Sequence, residues 1–281
     1  MDVGISFANI GRLGGPEGAA ALGEACDEHG VESVWTVEHV VVPAGYESTY
    51  PYSRDGRMPG GEQSPIPDPL IWLTWVGAHS REVLLGTGVL ILPQRNPVVL
   101  AKEVSTLDQL SGGRVQLGIG VGWLEEEFDA IGVSFAERGA RTDEYVAAMR
   151  ELWGSEEPTF EGRFTSFDKA LSNPKPVRGS VPIVVGGHTE IAARRAGRLG
   201  DGFFPAKYDD LGRLLEVMRA AADAAGRDAD AIEVSTGAPR DPAGLVELER
   251  LGVTRVVIPP PALTPDEIGP AIARTMDQLK G

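Results

Sequence analysis

One cysteine, Cys26, stands in 281 residues, so no disulfide can form within the chain, and a reducing cytoplasm is the expected setting. Basic residues are scarce. Against 41 Asp and Glu there are 26 Lys and Arg, a formal charge of −15, and no basic block is present to hold nucleic acid or an anionic membrane. No apolar run approaches the roughly 18 residues of a membrane span, and the opening MDVGISFANIG lacks the basic flank and apolar core of a signal peptide. Histidines number four. None belongs to a Cys/His cluster or an H-E-x-x-H, and no paired-carboxylate spacing is present, so no metal is expected. G-x-G-x-x-G is missing after the first strand candidate, which argues against an open, doubly wound nucleotide-binding sheet. These absences leave a soluble, acidic protein whose partner is a small molecule.

What is present is organised around Val83 to Glu127. VLLGTGVLIL (Val83–Leu92) is nearly continuous in apolar residues, as for a parallel strand buried on both faces. Asn96-Pro97 supplies an N-cap and a proline at the first helical position. The helix that follows places Leu100, Val104, Leu107 and Leu110 on one face, and Ser111-Gly112-Gly113 stops it. Arg114–Gly122 reads as the next strand, completing a βαβ unit. The same alternation recurs along the chain, with strands at Val3–Ala8, Val31–Val37, Pro182–Val185, Gly202–Pro205, Ile232–Ser235 and Val253–Ile258. Helices follow each, the last opening on Thr264-Pro265-Asp266-Glu267 as a capping box. Eight strand–helix pairs predict one (β/α)₈ TIM barrel over residues 1–281. Two stretches interrupt the alternation, giving insertions after strands 2 and 4. Residues 40–67 are aperiodic and rich in Tyr, Pro and Gly, the profile of a lid. Residues 154–181 contain a hairpin candidate at Thr159–Phe164.

Active sites of such barrels lie at the C-terminal strand ends. Those positions are Phe7 to Asn9, Glu38-His39, Gly88-Val89, Gly120 to Trp123, Gly186 to Thr189 and Phe204 to Lys207. Glycine recurs among them and is expected to let the backbone approach a flat, extended ligand. Gly186-Gly187-His188-Thr189 opens a helix, where free N–H groups and the helix dipole suit a phosphate. His39 is the one histidine at a strand end, beside Glu38, with either proton chemistry or a packing and cofactor-contact role open to it. Glu125-Glu126-Glu127 is expected to be a solvated helix face.

The stretch from DPLIWLTWVGAHSREVLLGTGVLILP to GGRVQLGIGVGWLEEEFDAIGV resembles the luciferase-like monooxygenase superfamily, as do VWTVEHVVVP, ERGARTDEYVAAMRELW and VPIVVGGHTEIAARRAGRLGDGFFP. Within it the chain is most similar to the deazaflavin (coenzyme F420)-dependent oxidoreductases. The resemblance implies a bulge and a non-prolyl cis peptide at Gly88–Val89, backing the central ring of F420, or of FMN as the alternative cofactor. It implies that Gly120, Val121 and Gly122 line that cofactor, that Gly186, Gly187, His188 and Thr189 hold its phosphate, and that Glu38 contacts it. His39 matches a catalytic histidine of the deazaflavin dehydrogenases. A homodimer is also implied.

Two departures limit the substrate. The tryptophan that follows the histidine motif in the sugar-phosphate and alcohol dehydrogenases of this family is missing from His39-Val40-Val41-Val42-Pro43. Trp123 stands where the sugar-phosphate enzymes carry a glutamate. Trp123 and Lys207 therefore become candidate substrate contacts, and neither glucose-6-phosphate nor a simple alcohol is carried over. The expected activity is hydride transfer between C5 of F420 and a small organic substrate. The alternatives are FMN-dependent monooxygenation and cofactor binding without turnover.

Overall fold

The computed structural model describes residues 1–207, 209–239 and 241–280. Eight parallel strands run Asp2–Ile5, Ser33–Thr36, Leu84–Thr87 continued by Leu90–Ile91, Val115–Gly120, Ile183–Gly186, Gly202–Phe204, Glu233–Gly237 and Arg255–Ile258. Each pairs with the next, and the eighth returns to the first from Asp2↔Arg255 to Ile5↔Ile258. The sheet is therefore a closed barrel without edges, and the chain is a (β/α)₈ barrel.

Local chemistry explains where the helices begin and end. Asp68 accepts the Leu70 and Ile71 N–H groups at the start of Pro69–Ala78, and Asn96 accepts those of Val98 and Val99 at the start of Pro97–Ser111. Gly112 closes the latter helix in the left-handed conformation, φ 72°. In the last helix, Pro265–Lys280, the Thr264 hydroxyl meets the Glu267 carboxylate at 2.7 Å, and the Glu267 N–H goes to the Thr264 carbonyl. The reciprocal backbone pairing of a capping box is replaced by a side-chain pair. Leu110 is 72% exposed, against the expectation of a buried face. At 100° per residue it lies about 80° off the direction of Leu100, and Ser111 takes the inward position.

The third strand is not continuous. Between the pairs Leu85↔Val115 and Leu90↔Ile119 it advances five residues (90 − 85) while the fourth advances four (119 − 115). One extra residue makes a bulge, and the Gly88–Val89 peptide within it is cis, as the resemblance implies.

Most of the core lies between strands and helices. A smaller cluster of Trp35, Val184 and Val257, with Phe204 against it, fills the barrel itself. Trp35 fits because Gly86 faces it: a Cβ there would stand 2.5 Å from the indole. Residues 37–68 form the long connection to helix Pro69–Ala78. After the fourth strand come a short helix, Glu125–Ala130, then Arg138–Gly154 and a hairpin pairing Phe160–Glu161 with Ser166–Phe167. Among the described residues no helix is long and apolar enough to cross a membrane.

Candidate active site

Asn9 stitches the mouth of the barrel together. Its Oδ1 accepts the Val37 N–H at 2.9 Å, and its Nδ2 donates to the Val37 and Pro67 carbonyls at 2.9 and 3.3 Å. The ends of the first and second strands and the return of the long loop are thereby held at one point.

The bulge aims Val89 across the mouth. A Cβ added to Gly120 would lie 2.5 Å from Val89 Cγ2, and one added to Gly186 would lie 2.3 Å from Val89 Cγ1. These two glycines thus make room for the valine methyls, which changes the expectation that they admit a ligand directly. Gly122, at φ +80°, is held against Phe128 and Ile91, and Val121 beside it is partly exposed. Gly88 packs between Phe204 and Trp35.

At the fifth strand end, Gly187 has φ +125° and donates its N–H to the Phe204 carbonyl at 3.2 Å. Thr189 Oγ1 accepts the Ala192 N–H at 3.2 Å, capping the helix Glu190–Leu199. His188 Nδ1 is buried without a hydrogen-bond partner among the described residues, as are Ser53 Oγ and Thr236 Oγ1.

Glu38 is buried and fully engaged. One oxygen accepts the Ile91 N–H at 2.5 Å, and the other accepts Arg95 Nε at 3.0 Å together with Arg95 Nη2. Arg95 Nη2 also reaches Asp68 at 2.8 Å. Burial is the largest influence on the Glu38 carboxyl and pushes its pKa up, while Arg95 and the Ile91 N–H pull it down. In this arrangement Glu38 ties the second strand to the continuation of the third, with both oxygens spent on protein donors.

His39 is held by a residue that was expected in solvent. Glu127 Oε2 lies 3.0 Å from His39 Nδ1, and Oε1 accepts the Val40 and Val41 N–H groups at 2.6 and 3.3 Å. Glu126 Oε1 accepts the Glu47 and Ser48 N–H groups at 2.6 and 3.0 Å. The expected solvated face is therefore wrong at two of its three positions; only Glu125 is exposed. Leu124, Glu127 and Phe128 are spaced i, i+3, i+4 and share the buried side of the short helix, a periodicity that would have turned Glu127 inward.

The long loop brings its aromatics over the same region. Trp123 makes edge contacts with His39, Tyr46 and Tyr50 at centroid distances of 5.7, 5.4 and 5.2 Å, and Tyr50 meets Tyr52 at 5.5 Å. Tyr46 OH accepts the Met58 N–H at 3.0 Å, and Arg57 lies over the Tyr46 ring. Burial raises the pKa of the Tyr52 phenol, partly offset by the His188 N–H that it faces. An aromatic chain thus runs from His39 to the fifth strand end. Lys207 is exposed and joins none of these contacts among the described residues. Nothing in the sequence spacing of Tyr46, Tyr50 and Tyr52 announces this cluster, because irregular loops carry no periodicity.

Comparison with known proteins gives a consistent picture. Residues 5–239 match the luciferase-like monooxygenase family. The chain is 31% identical to the uncharacterized protein Rv0953c of Mycobacterium tuberculosis (strain ATCC 25618 / H37Rv) over 281 residues, 99% of each chain. It is 35% identical to the F420-dependent glucose-6-phosphate dehydrogenase of Nakamurella multipartita over 231 residues, 78% of this chain and 62% of that one. Among solved structures, the monooxygenase RslO1 from Streptomyces bottropensis superposes with a TM-score of 0.67 at 28% identity, covering 99% of this chain and 82% of that one.

Proposed function

The chain belongs to the luciferase-like monooxygenase family, a family of oxidoreductases, and from that premise we propose that it is an F420-dependent oxidoreductase acting on a small organic substrate. One observation carries the reading: a single barrel mouth combines an apolar seat, Val89 over Gly120 and Gly186, with a carboxylate-held histidine, His39. The F420-dependent dehydrogenase relative supports the choice of cofactor.

The residues fit such a group. Val89 stands in a cradle that a Cβ at Gly120 or Gly186 would fill, and His188 Nδ1 is an orphaned buried polar atom beside Gly187. Val89 would back the flat ring, with Gly88, Gly120, Val121 and Gly122 shaping that wall. The Gly187 N–H goes to the Phe204 carbonyl and the His188 N–H faces the Tyr52 phenol, so Gly186, Gly187, His188 and Thr189 would shape the phosphate seat, while the dipole and first-turn N–H groups of the helix Glu190–Leu199 would supply the neutral donors, and a net charge of −15 is no obstacle. When bound, the deazaflavin supplies hydride exchange at its C5. His39 gives or takes the accompanying proton. Glu38 positions Arg95 and the third strand. Trp123 and the loop tyrosines exclude water and present an aromatic wall, which favours an uncharged, planar or apolar substrate over a sugar phosphate. Lys207 remains a candidate substrate contact at the rim.

Ile71 and Trp75 on one helix and Val99 and Leu110 on the next stay exposed, and the first of these helices, PLIWLTWVGA, is apolar on all sides. Such helices are covered on every face, so we assign this surface to a second copy of the chain. Light scattering of an Ile71→Glu variant should report monomer where the parent reports dimer.

The cofactor is tested by titrating the protein with oxidised F420 and with FMN and following fluorescence. Saturable binding of F420, with binding of FMN at least tenfold weaker, is expected. Preference for FMN, with oxygen consumed by the reduced complex, would move the protein to the monooxygenases. Tight binding without reaction across a broad substrate panel would make it a carrier.

A further inference from the structure

Glu127 divides its carboxylate between two tasks. Oε2 faces His39 Nδ1 at 3.0 Å, and Oε1 receives the Val40 and Val41 N–H groups at 2.6 and 3.3 Å. Its side chain is 2% exposed, and that of His39 is 9% exposed. The other nearby acids are spent elsewhere, Glu38 on Arg95 and Ile91, and Glu126 on Glu47 and Ser48. Among the described residues, Glu127 is the one acid hydrogen-bonded to the imidazole.

We propose that Glu127 is a positioning residue that fixes neutral His39 as the Nδ1–H tautomer and leaves Nε2 as the proton-exchanging atom, while its other oxygen pins the backbone at Val40 and Val41. This rests on the reading of His39 as the group that exchanges a proton. An ionised carboxylate only accepts hydrogen bonds. With Oε1 taken by two backbone donors and Oε2 against the ring, Nδ1 must be the donor, and the lone pair is left on Nε2. Among the described residues the ring makes no hydrogen bond through Nε2. When His39 takes up a proton, the adjacent carboxylate stabilises the imidazolium without itself being protonated, as a buried carboxylate does for a catalytic histidine.

The alternative is that Glu127 merely anchors the loop. The substitution Glu127→Gln separates the two, because its outcome is dictated by donor count. The Val40 N–H is a fixed donor, so the glutamine carbonyl must face it. The NH₂ then faces His39, whose Nδ1 must become an acceptor, and the ring proton moves to Nε2. The tautomer is read in ligand-free protein from long-range ¹H–¹⁵N correlations of ring-labelled histidine, at a pH where the ring is neutral. The chain has four histidines, and the signals missing from His39→Asn identify His39. The expected result is a predominantly Nδ1–H ring in the parent and a predominantly Nε2–H ring in Glu127→Gln. An unchanged tautomer in the variant overturns the proposal. Should the variant not fold, the parent decides alone: a neutral His39 protonated on Nε2 is incompatible with it. The measurement needs no cofactor, so failure of the F420 reading leaves it standing, and its own failure leaves the F420 titration untouched.

Discussion

At the N-terminal end of the barrel, Arg255 is enclosed; at the C-terminal end, His39 is presented. Arg255 is 3% exposed and donates through Nε and Nη2 to Glu32 and through Nη1 to Ser235 Oγ at 2.9 Å, with Glu233 at 3.5 Å and the Trp35 ring over it. Its donors are met by Glu32, Ser235 and Glu233. At the other end, polar atoms are left over: His188 Nδ1, Ser53 Oγ and Thr236 Oγ1 have no partner among the described residues. Both ends bury charge in a pairing with carboxylate. The difference is saturation, and the site proposed at the second end rests on it.

Substitutions at the two ends should separate rate from stability. His39→Asn places an amide nitrogen close to the position of Nδ1, so the bond to Glu127 can persist while Nε2 is lost. Once a substrate is in hand, the rate of reduction or reoxidation of bound cofactor should fall about 10²–10⁴-fold, the usual worth of general acid–base help, with cofactor affinity and melting temperature little changed. Normal turnover would return His39 to a packing role. Arg255→Ala should do the reverse. Removing one member of a buried ion network costs about 3–5 kcal/mol, and the lower figure is expected because Glu32 can rehydrate. Urea unfolding would show the loss, while activity per folded molecule stays at the parental level. A stable but inactive Arg255→Ala would erase the distinction between the two ends.

Gly186→Ala falls between these cases and should affect both quantities. A Cβ there meets Val89 Cγ1 at 2.3 Å, and overpacking of this kind typically costs about 1–3 kcal/mol. The displaced Val89 should also weaken cofactor binding at matched folded fraction. Gly212→Ala is the control: among the described residues its Cβ would meet only Leu251 Cδ2, at 3.8 Å, and a helical alanine should be neutral or better. Gly187 is a poor probe of the phosphate end, since φ +125° strains any side chain and folding would suffer first.

How far the residues announced this arrangement depends on whether the signal is local. Asp68-Pro69, Asn96-Pro97 and Gly112 act within one helical turn, and each does in the structure what its chemistry dictates. Strand order follows from alternation, and the closed barrel from strand count. The break in the third strand left no mark on hydrophobicity, because Val83–Leu92 is apolar throughout; only the family resemblance pointed to it. Gly120 and Gly186 were legible as special and illegible in purpose, since their partner Val89 arrives from another strand. Glu127 was hidden by its neighbours. A run of three glutamates reads as solvated by composition, and the buried stripe that includes Leu124 and Phe128 was the competing signal. Arg95, Asp68 and the loop tyrosines are joined only by tertiary contacts, for which no spacing rule exists.

The loop offers the finest discrimination between a fixed and a movable part of the mouth. Its stem at Val40 and Val41 is clasped by buried Glu127, and its middle at Glu47 and Ser48 by Glu126. The Ser48 hydroxyl, followed by backbone N–H groups, holds the Glu126 carboxyl down from 4.5 to about 2. A carboxyl depressed in the closed state stabilises closure at pH above its ordinary value, and the contribution is lost as protons bind on the way down. The Glu126 contribution to closure should therefore be constant above pH about 5 and should weaken as the pH falls from 4.5 toward about 2. Hydrogen exchange of a peptide spanning residues 44–52, corrected for the intrinsic rate at each pH, measures the opening. In Glu126→Gln the acid-dependent part should vanish while the exchange of Val40 and Val41 stays slow, because Glu127 still clasps them. An identical acid profile in parent and variant would show that the loop is held by its aromatics alone, with Trp123, Tyr46 and Tyr50 as the latch in place of the carboxylate.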